Sequence, residues 1–387
     1  MKVLYSIFSW KGKPGGHFFS FDHTITALAE GYVEPVILYI GETHPVVEAI
    51  PVKKYHVKPS LVSKKAVWEV VEREKPDVIH CFDRMSFIYM SFFLRNRKVK
   101  FLLTKAGGNS DPEYTPYCKD IVLFSQESLA QFKKNHKFDD TALYYIPNRV
   151  NRSRLHFEEN EPGDTLRMIQ VIRINSDKHP AISRTLNFLK ILVDKGVQLK
   201  LIMAGTVNTL SEKHYIEEFV SSNGLDNYFE LITDDRVNRG SDLLSLGDYV
   251  IGTGRSVMEA ASLGKIVLVP VKNLDYPVLL DSENLDNLLY FNFSGRTDTT
   301  YDEKELKKIE LSLKDTNYRN DIKSFIGEAY LHYFDLSKEI IKQYMKIYKG
   351  IEYVDCKKMQ RKNLKLWLSS FRSEIIRVGG LTFLFGK

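Results

Sequence analysis

A glycine-rich loop between a short apolar run and a helix is the part of the sequence best suited to carry chemistry. The loop opens the stretch 252–264, which follows a short apolar strand pattern over 248–251, leads into a helix-like run over 257–261 and precedes a second strand pattern over 266–270. Such a loop exposes backbone N–H groups at a helix N-terminus, where a phosphate is stabilised. Glu259, one turn into the helix, is placed to accept hydrogen bonds from sugar hydroxyls. Phosphate and sugar contacts together predict a nucleotide-sugar site.

The loop alone also has a plainer interpretation. Glycines between a strand and a helix are often tight-turn residues, and Glu259 would then be a surface glutamate. Under the ligand-binding interpretation, the residues expected to contact the nucleotide are Gly252, Thr253, Gly254, Arg255, Ser256 and Glu259.

Two basic residues follow the first apolar strand pattern of the second half of the chain. Arg173 and Lys178 come after residues 168–172. Ligands of doubly wound sheets bind at the carboxyl ends of strands, where Arg binds phosphate through paired hydrogen bonds and Lys adds a point charge. The pair would stabilise a diphosphate leaving group as the glycosidic bond breaks. The alternative is two solvated side chains in a loop.

Polar residues at predicted strand ends in the first half form a second group of candidates. Gly15 and Gly16 would let a loop approach donor phosphate and acceptor closely, although a flexible loop is an equally good interpretation. The polar candidates are His17, His80, Asp83 and Lys105. His80 is also compatible with a packed histidine in the core.

The elements that must position these residues alternate between strand and helix, which is typical of parallel βαβ units. The length of the chain predicts two domains, since 387 residues are more than a domain with a single hydrophobic core usually contains. We predict a first domain over residues 1–157, a polar linker over 158–164, a second domain over 165–334, and C-terminal helices with a basic tail over 335–387.

Composition narrows the class of protein. Hydrophobic residues make up 43% and charged residues 27% of the chain, as in ordinary globular proteins, and no apolar run is long enough to span a membrane. The N-terminal apolar run predicts a first strand rather than a signal peptide. Three widely spaced cysteines predict no disulfide framework and a reducing, cytoplasmic compartment.

The positive charge belongs to the C-terminal tail. Residues 357–387 hold eight basic side chains and one acidic one, so the rest of the chain carries −1 of the total +6. This argues against a body that binds nucleic acid. One helical face of the tail is apolar, and the residues on it are Leu364, Trp367, Leu368, Phe371, Ile375 and Val378. Basic neighbours predict a helix on an anionic membrane, and the alternative is a helix packed on the body.

Five motifs occur in an order that resembles the GT-B glycosyltransferases, specifically the large retaining family that includes bacterial lipopolysaccharide, capsule and mannosyl transferases. They are residues 13–17, residues 75–80, residues 146–151, residues 170–173 with Lys178, and the loop 252–264. The resemblance covers the chain from the start to about residue 348. It implies an α/β fold with two Rossmann-like domains facing a cleft (GT-B) and C-terminal helices returning to the first domain.

The resemblance also implies an activity. It implies retaining transfer of a sugar from a nucleotide-diphosphate sugar, UDP- or GDP-linked, to a glycan or lipid-linked acceptor in bacterial surface polysaccharide synthesis. Arg173 and Lys178 would be the catalytic residues, acting on the leaving diphosphate without a side-chain nucleophile. We expect no cofactor and no metal, since no Asp-x-Asp triplet occurs. The expected location is the cytoplasm, peripheral on the inner face of the cell membrane.

Three features depart from the family pattern, and one of them is the loop over 105–109 after the fourth strand, where relatives often have His-Gly. Ile251 stands where the family has the first glutamate of its Glu-x7-Glu motif, which contacts the donor sugar, and Arg149 replaces a glycine of the junction motif. These departures leave two alternatives open: a nucleotide-sugar epimerase of the same fold, or a degenerate, non-catalytic protein that binds a nucleotide-sugar or a partner enzyme. A Rossmann dehydrogenase is disfavoured because no Gly-x-Gly-x-x-Gly follows the first strand.

Overall fold

The computed structural model describes residues 1–9, 15–60, 63–107, 111–152, 155, 165–297 and 299–378, with side chains through residue 372. The chain divides into two compact units. Unit 1 comprises Met1–Asn148 and Leu336–Lys387, and unit 2 comprises Arg149–Asp335. The linker predicted over 158–164 lies outside the described residues. Unit 2 begins at Arg149.

The first segment of unit 1 alternates strands and helices. Its strands are β1 (Lys2–Ser9), β2 (Glu34–Gly41), β3 (Lys53–Val57), β4 (Val78–Cys81), β5 (Lys98–Val99), β6 (Phe101–Lys105), β7 (Asp120–Leu123) and β8 (Ala142–Tyr145). Its helices are α1 (Gly16–Ala29), α2 (Pro45–Glu48), α3 (Lys64–Glu74), α4 (Arg84–Phe93) and α5 (Gln126–Lys133). Every residue of β4 is buried, as expected for a central strand of a parallel sheet.

Seven of these strands form a parallel sheet in the order β3-β2-β1-β4-β6-β7-β8. Strand order reverses between β1 and β4, so the crevice at the carboxyl ends of these two strands is the binding position expected for a doubly wound sheet. Two separate apolar clusters cover the two faces of the sheet.

Unit 2 repeats the same plan. Its strands are β9 (Leu166–Val171), β10 (Leu199–Ala204), β11 (Phe229–Ile232), β12 (Tyr249–Ile251), β13 (Ile266–Val269) and β14 (Val278–Leu279). Its helices are α6 (His179–Asp194), α7 (Leu210–Ser222), α8 (Gly240–Leu243), α9 (Arg255–Ser262), α10 (Leu285–Tyr290), α11 (Lys304–Lys314) and α12 (Thr316–Ala329). The sheet order is β11-β10-β9-β12-β13-β14, with only β14 antiparallel to its neighbour. Here the order reverses between β9 and β12.

The last segment of the chain belongs to unit 1. It contains α13 (Lys338–Gly350), β15 (Val354–Asp355), α14 (Cys356–Lys362) and α15 (Leu364–Val378), and β15 pairs with β5. Apolar side chains of α13 join one cluster of unit 1, while Met359 and Phe371 join the other. Together, the two doubly wound sheets and the returning helices confirm the predicted α/β fold with two Rossmann-like domains.

Candidate functional site

The strongest candidate site lies in unit 2, at the edge where β9 and β12 end side by side. These strands pair in parallel, and strand order reverses between them. Arg173 follows β9, Lys178 ends a short 3-10 helix just before α6, and the glycine loop follows β12. The sheet therefore brings the basic pair and the glycine loop, 70 or more residues apart in sequence, to the same edge of unit 2.

A buried carboxylate fixes the loop that carries Arg173 and Lys178. Glu212 accepts a hydrogen bond from the backbone N–H of Ser176 at 2.9 Å and another from Asn208 at 3.2 Å. Ile174 also donates to the Thr206 carbonyl at 2.9 Å. Arg173 and Lys178 themselves are exposed, so a rigid loop presents two accessible cations at the strand end. Sequence reasoning missed Glu212, although Thr209 and Glu212 form a capping box that reads directly from the sequence.

The glycine loop is tightly built. A Cβ at Gly252 would lie 2.5 Å from the Ser256 hydroxyl, and Gly254 has a φ of +58° that side chains rarely adopt. The N–H groups of Gly252, Thr253 and Gly254 donate to the Leu268 carbonyl, the Ser256 hydroxyl and the Phe293 carbonyl. These three N–H groups thus have partners within unit 2, and their contact with a phosphate stays a prediction. The first turn of α9, beginning at Arg255, is the part of the loop that remains for an anion.

Glu259 is buried rather than a surface glutamate. Its Oε1 accepts from Arg255 Nε at 2.6 Å, and its Oε2 accepts from the Ser241 hydroxyl at 2.8 Å. Arg255 is also buried, and it donates from a terminal nitrogen to the Arg149 carbonyl at 3.1 Å. The guanidinium of Arg255 is therefore directed at protein atoms. The predicted contact between Glu259 and ribose stays a prediction.

Ile251, where the family pattern has a glutamate, is the last residue of β12 and is 1% exposed. Its side chain is part of the unit 2 core. The site therefore has no carboxylate at this position.

The corresponding edge of unit 1 gathers the other predicted residues. Gly15 and Gly16 open α1, and burial lowers the pKa of His17 to about 4, with His44 adding a smaller effect. Residues 11–14 of the same loop lie outside the described part of the chain. Lys105 is the buried last residue of β6.

His80 is a core residue in this structure. It has no exposed surface, and its Nδ1 and Nε2 lie 2.8 Å from the Tyr348 hydroxyl and 2.7 Å from the Thr104 hydroxyl. Both ring nitrogens thus have partners within unit 1, as the packed-core interpretation of His80 expects, and contact of His80 with substrate stays a prediction.

Asp83 has a structural contact of its own. It caps α4, accepting from the N–H groups of Phe8 and Ser86, and burial raises its pKa to about 6. Its carboxylate therefore joins the end of β1 to the start of α4.

The described residues include neither a metal-binding cluster nor a membrane-spanning helix. No cluster of three His, Cys, Asp or Glu residues with metal-binding geometry occurs among them. None of their helices is both long enough and apolar enough to cross a membrane.

Comparison with known proteins identifies the class of fold. No protein-family model matches the sequence, and no curated protein matches it. Solved structures do match. A glycosyltransferase from Rickettsia africae superposes with a TM-score of 0.63 and 16% identity, over 90% of this chain and 98% of that one. Anabaena HepE, solved with UDP and glucose, gives 0.64 and 16%, over 91% and 100%.

A third match is the sucrose-phosphate synthase of Thermosynechococcus elongatus, with a TM-score of 0.60 and 13% identity over 89% of this chain and 98% of that one. These proteins are GT-B glycosyltransferases with two Rossmann-like domains. At such low identity the likeness shows the fold. This chain has the GT-B fold.

Proposed function

We propose that the protein is a glycosyltransferase that moves a sugar from a nucleotide-diphosphate sugar to a glycan or lipid-linked acceptor. The observation that carries the proposal is that Arg173, Lys178 and the first turn of α9 all follow strand ends at one edge of the unit 2 sheet. Two cations and a helix N-terminus suit a diphosphate that gains negative charge as the glycosidic bond breaks. The UDP and glucose bound in Anabaena HepE support a UDP-linked donor.

The mechanism we propose is stabilisation of the leaving diphosphate. The rigid loop held by Glu212 keeps the two cations in place before the donor arrives, so little reorganisation is needed when charge develops. Because these cations supply the charge, we expect no divalent metal to be needed. Retention of configuration and a role in bacterial surface polysaccharide synthesis belong to the same proposal and rest on the motif resemblance.

A coupled assay of nucleotide release tests the activity. Full-length protein would be incubated with UDP- and GDP-sugars in excess EDTA, with and without bacterial membranes as a source of acceptor. We expect nucleotide release that depends on the membranes and persists in EDTA. Activity that disappears in EDTA and returns with Mg²⁺ or Mn²⁺ would overturn the metal-independent mechanism.

The buried Ile251 favours a second candidate, a protein that binds the nucleotide-sugar without transferring it. A missing carboxylate at this position removes a polar contact from the site while leaving Arg173, Lys178 and Glu259 in place. Binding without nucleotide release in the assay, with any acceptor fraction, would select this candidate.

We further propose that unit 1 docks on an anionic membrane through α14 and α15. The contacts of the described residues lead us to propose a different face of α15 for this docking. Trp367 packs on Phe92 with ring centroids 4.5 Å apart, and Phe371 is 5% exposed, so these two rings hold α15 to unit 1. Asn363 binds the backbone of Tyr117 from both ends of its amide. This corrects the prediction that Trp367 and Phe371 insert into lipid.

A different set of side chains faces outward on these helices. Leu364 is 50% exposed and Leu368 is 55% exposed. Exposed basic residues flank them at helical spacing: Arg361, Lys365 and Arg372. Two leucines beside three cations favour a surface held mainly by charge, with shallow apolar insertion. We call these five residues the outward face of α14–α15.

A further inference from the structure

The buried ion pair of Arg255 and Glu259 conflicts with the stability of its own helix. Arg255 occupies the first position of α9, next to the positive end of the helix dipole, and Glu259 follows four residues later. This order is the reverse of the one that stabilises a helix. Both side chains are almost fully buried, where an ion pair adds little net stability. A local arrangement that costs stability points to a functional requirement.

A third residue reaches the same carboxylate from another element. Ser241, in α8, donates to Glu259 Oε2. Its neighbour Gly240 makes the approach possible, because a Cβ there would lie 2.7 Å from the Val171 side chain at the end of β9. Arg255 is in turn anchored by its bond to the Arg149 carbonyl. Glu259 is therefore held from two sides at the edge where β9 and β12 end.

The remaining hydrogen-bonding capacity of Glu259 matches a vicinal diol. An ionised carboxylate has about four acceptor positions. Arg255 and Ser241 each occupy one, on different oxygens. About two acceptor positions then remain, and the ribose of a nucleotide offers two adjacent hydroxyl donors.

We infer that Ser241 and Arg255 are positioning residues that orient the Glu259 carboxylate toward the ribose diol of the bound nucleotide. This inference rests on the proposed nucleotide-sugar donor. Arg255 balances the buried charge, so that the carboxylate accepts hydrogen bonds from both hydroxyls. Ser241 sets the rotation of the carboxylate about its last bond. Neither residue touches the reacting atoms.

A comparison of each nucleotide with its 2′-deoxy form tests the inference. Dissociation constants for UDP and 2′-deoxy-UDP would be measured on the full-length protein by calorimetry, with GDP and 2′-deoxy-GDP used if UDP does not bind. For the wild type we expect the deoxy ligand to bind about tenfold more weakly, as for loss of a hydrogen bond to a charged group. In Ser241→Ala and in Arg255→Lys we expect this ratio to fall toward one, because the carboxylate no longer meets the diol.

The control variant is Ser312→Ala, which removes a buried serine hydroxyl of unit 2 that bonds to Tyr249 and the Ile309 carbonyl. It should keep the wild-type ratio. A purely structural role for Ser241 would weaken both ligands equally and leave the ratio unchanged, which would overturn the inference. Equal binding of both ligands by the wild type would also overturn it, while leaving the donor site intact. A wild type that binds neither UDP nor GDP would contradict the proposed function and the inference together.

Discussion

At the scale of single residues, the proposed donor site has two exposed cations, Arg173 and Lys178, on a loop held by Glu212. Arg173→Ala and Lys178→Ala should each lower turnover about 10²-fold, because each removes charge stabilisation that grows as the diphosphate leaves. The matched control is Lys213→Ala, a partly exposed lysine of α7 that pairs with Glu217. Steady-state kinetics of nucleotide release would measure all three. Near-wild-type turnover in both site variants would remove these residues from the mechanism.

His80 gives the second residue-scale prediction. Burial lowers its pKa to about 3, whereas an unfolded histidine takes up its proton near pH 6.5. Between these values the unfolded chain binds more protons, so His80 makes unit 1 less stable as the pH drops below about 6.5, by up to about 1.4 kcal/mol per pH unit. Asp83, whose pKa burial raises to about 6, acts in the opposite direction below that pH, so the effect of His80 is isolated by comparison with a His80 variant. His17, whose pKa burial lowers to about 4, acts in the same direction.

Urea unfolding at pH 7 and pH 5 would measure the His80 effect through tryptophan fluorescence. Trp10, Trp68 and Trp367 all fall within the residue ranges of unit 1, so the signal reports this unit alone. His80→Phe should be less stable at pH 7, since two hydroxyls lose a partner, but its stability should depend less on pH. His136→Asn, at an exposed site, should follow the wild type. Parallel pH dependence in wild type and His80→Phe would contradict the assignment.

Sequence reasoning identified residue types at strand ends but not their partners. Arg173, Lys178 and Glu259 could be singled out because they sit beside recognisable strand and glycine patterns. Ser241 could not, because its hydrogen bond to Glu259 spans 18 residues and carries no local signal. His80 is the opposite case. In the sequence it looks like a substrate-binding residue because it is polar and lies at a strand end, and its two buried partners are visible only in the structure.

At the scale of elements, α15 has two different faces. One face packs on unit 1 and holds the tail in place, and the other face is exposed. Leu364→Glu combined with Leu368→Glu should release the protein from vesicles that contain phosphatidylglycerol, without changing the unfolding of unit 1. High salt should release the wild type almost completely, because charge supplies most of the attraction. Leu210→Glu, at an 85% exposed leucine of unit 2, is the matched control for added charge. Co-sedimentation would measure binding.

Trp367→Ala, unlike the double glutamate variant, should destabilise unit 1, by about 2–4 kcal/mol, because the packing of this ring on Phe92 and Phe371 is lost. The membrane proposal would be contradicted if the double glutamate variant bound vesicles as well as the wild type does. It would also be contradicted if the wild type did not bind vesicles at low salt.

Sequence periodicity predicted most of the elements that build the two sheets. Residues 63–75 have helical periodicity in the sequence and contain α3, and Pro76 follows the end of this helix. Periodicity did not reveal α4, whose residues are buried almost all round and so show no polar face. It also missed the β5–β15 pair, which joins segments more than 250 residues apart through two residues each. An apolar face on α15 was visible in sequence, but only the packing partners show that Trp367 and Phe371 turn inward.

At the scale of the whole molecule, unit 2 is one continuous segment with its own core, while unit 1 is assembled from both ends of the chain. The ends of unit 2 meet, since Val150 donates to the Phe334 carbonyl at 2.8 Å and bridges to Asp335. Residues 149–335 expressed alone should therefore fold and bind nucleotide diphosphates. Circular dichroism would follow the melt, because this segment contains no tryptophan. A non-cooperative melt would show that unit 2 depends on unit 1.

The central claim is that the edge of unit 2 bearing Arg173 and Lys178 binds the diphosphate of a nucleotide-sugar. Calorimetric titration of the full-length protein with UDP- and GDP-sugars, repeated on a variant with both residues changed to alanine, tests it most directly. We predict one nucleotide-sugar bound per chain, with affinity lowered about 10²-fold or more in the double variant, because two charged hydrogen-bond donors are lost. Unchanged affinity in the double variant, or no binding of any nucleotide-sugar by the wild type, would contradict the account.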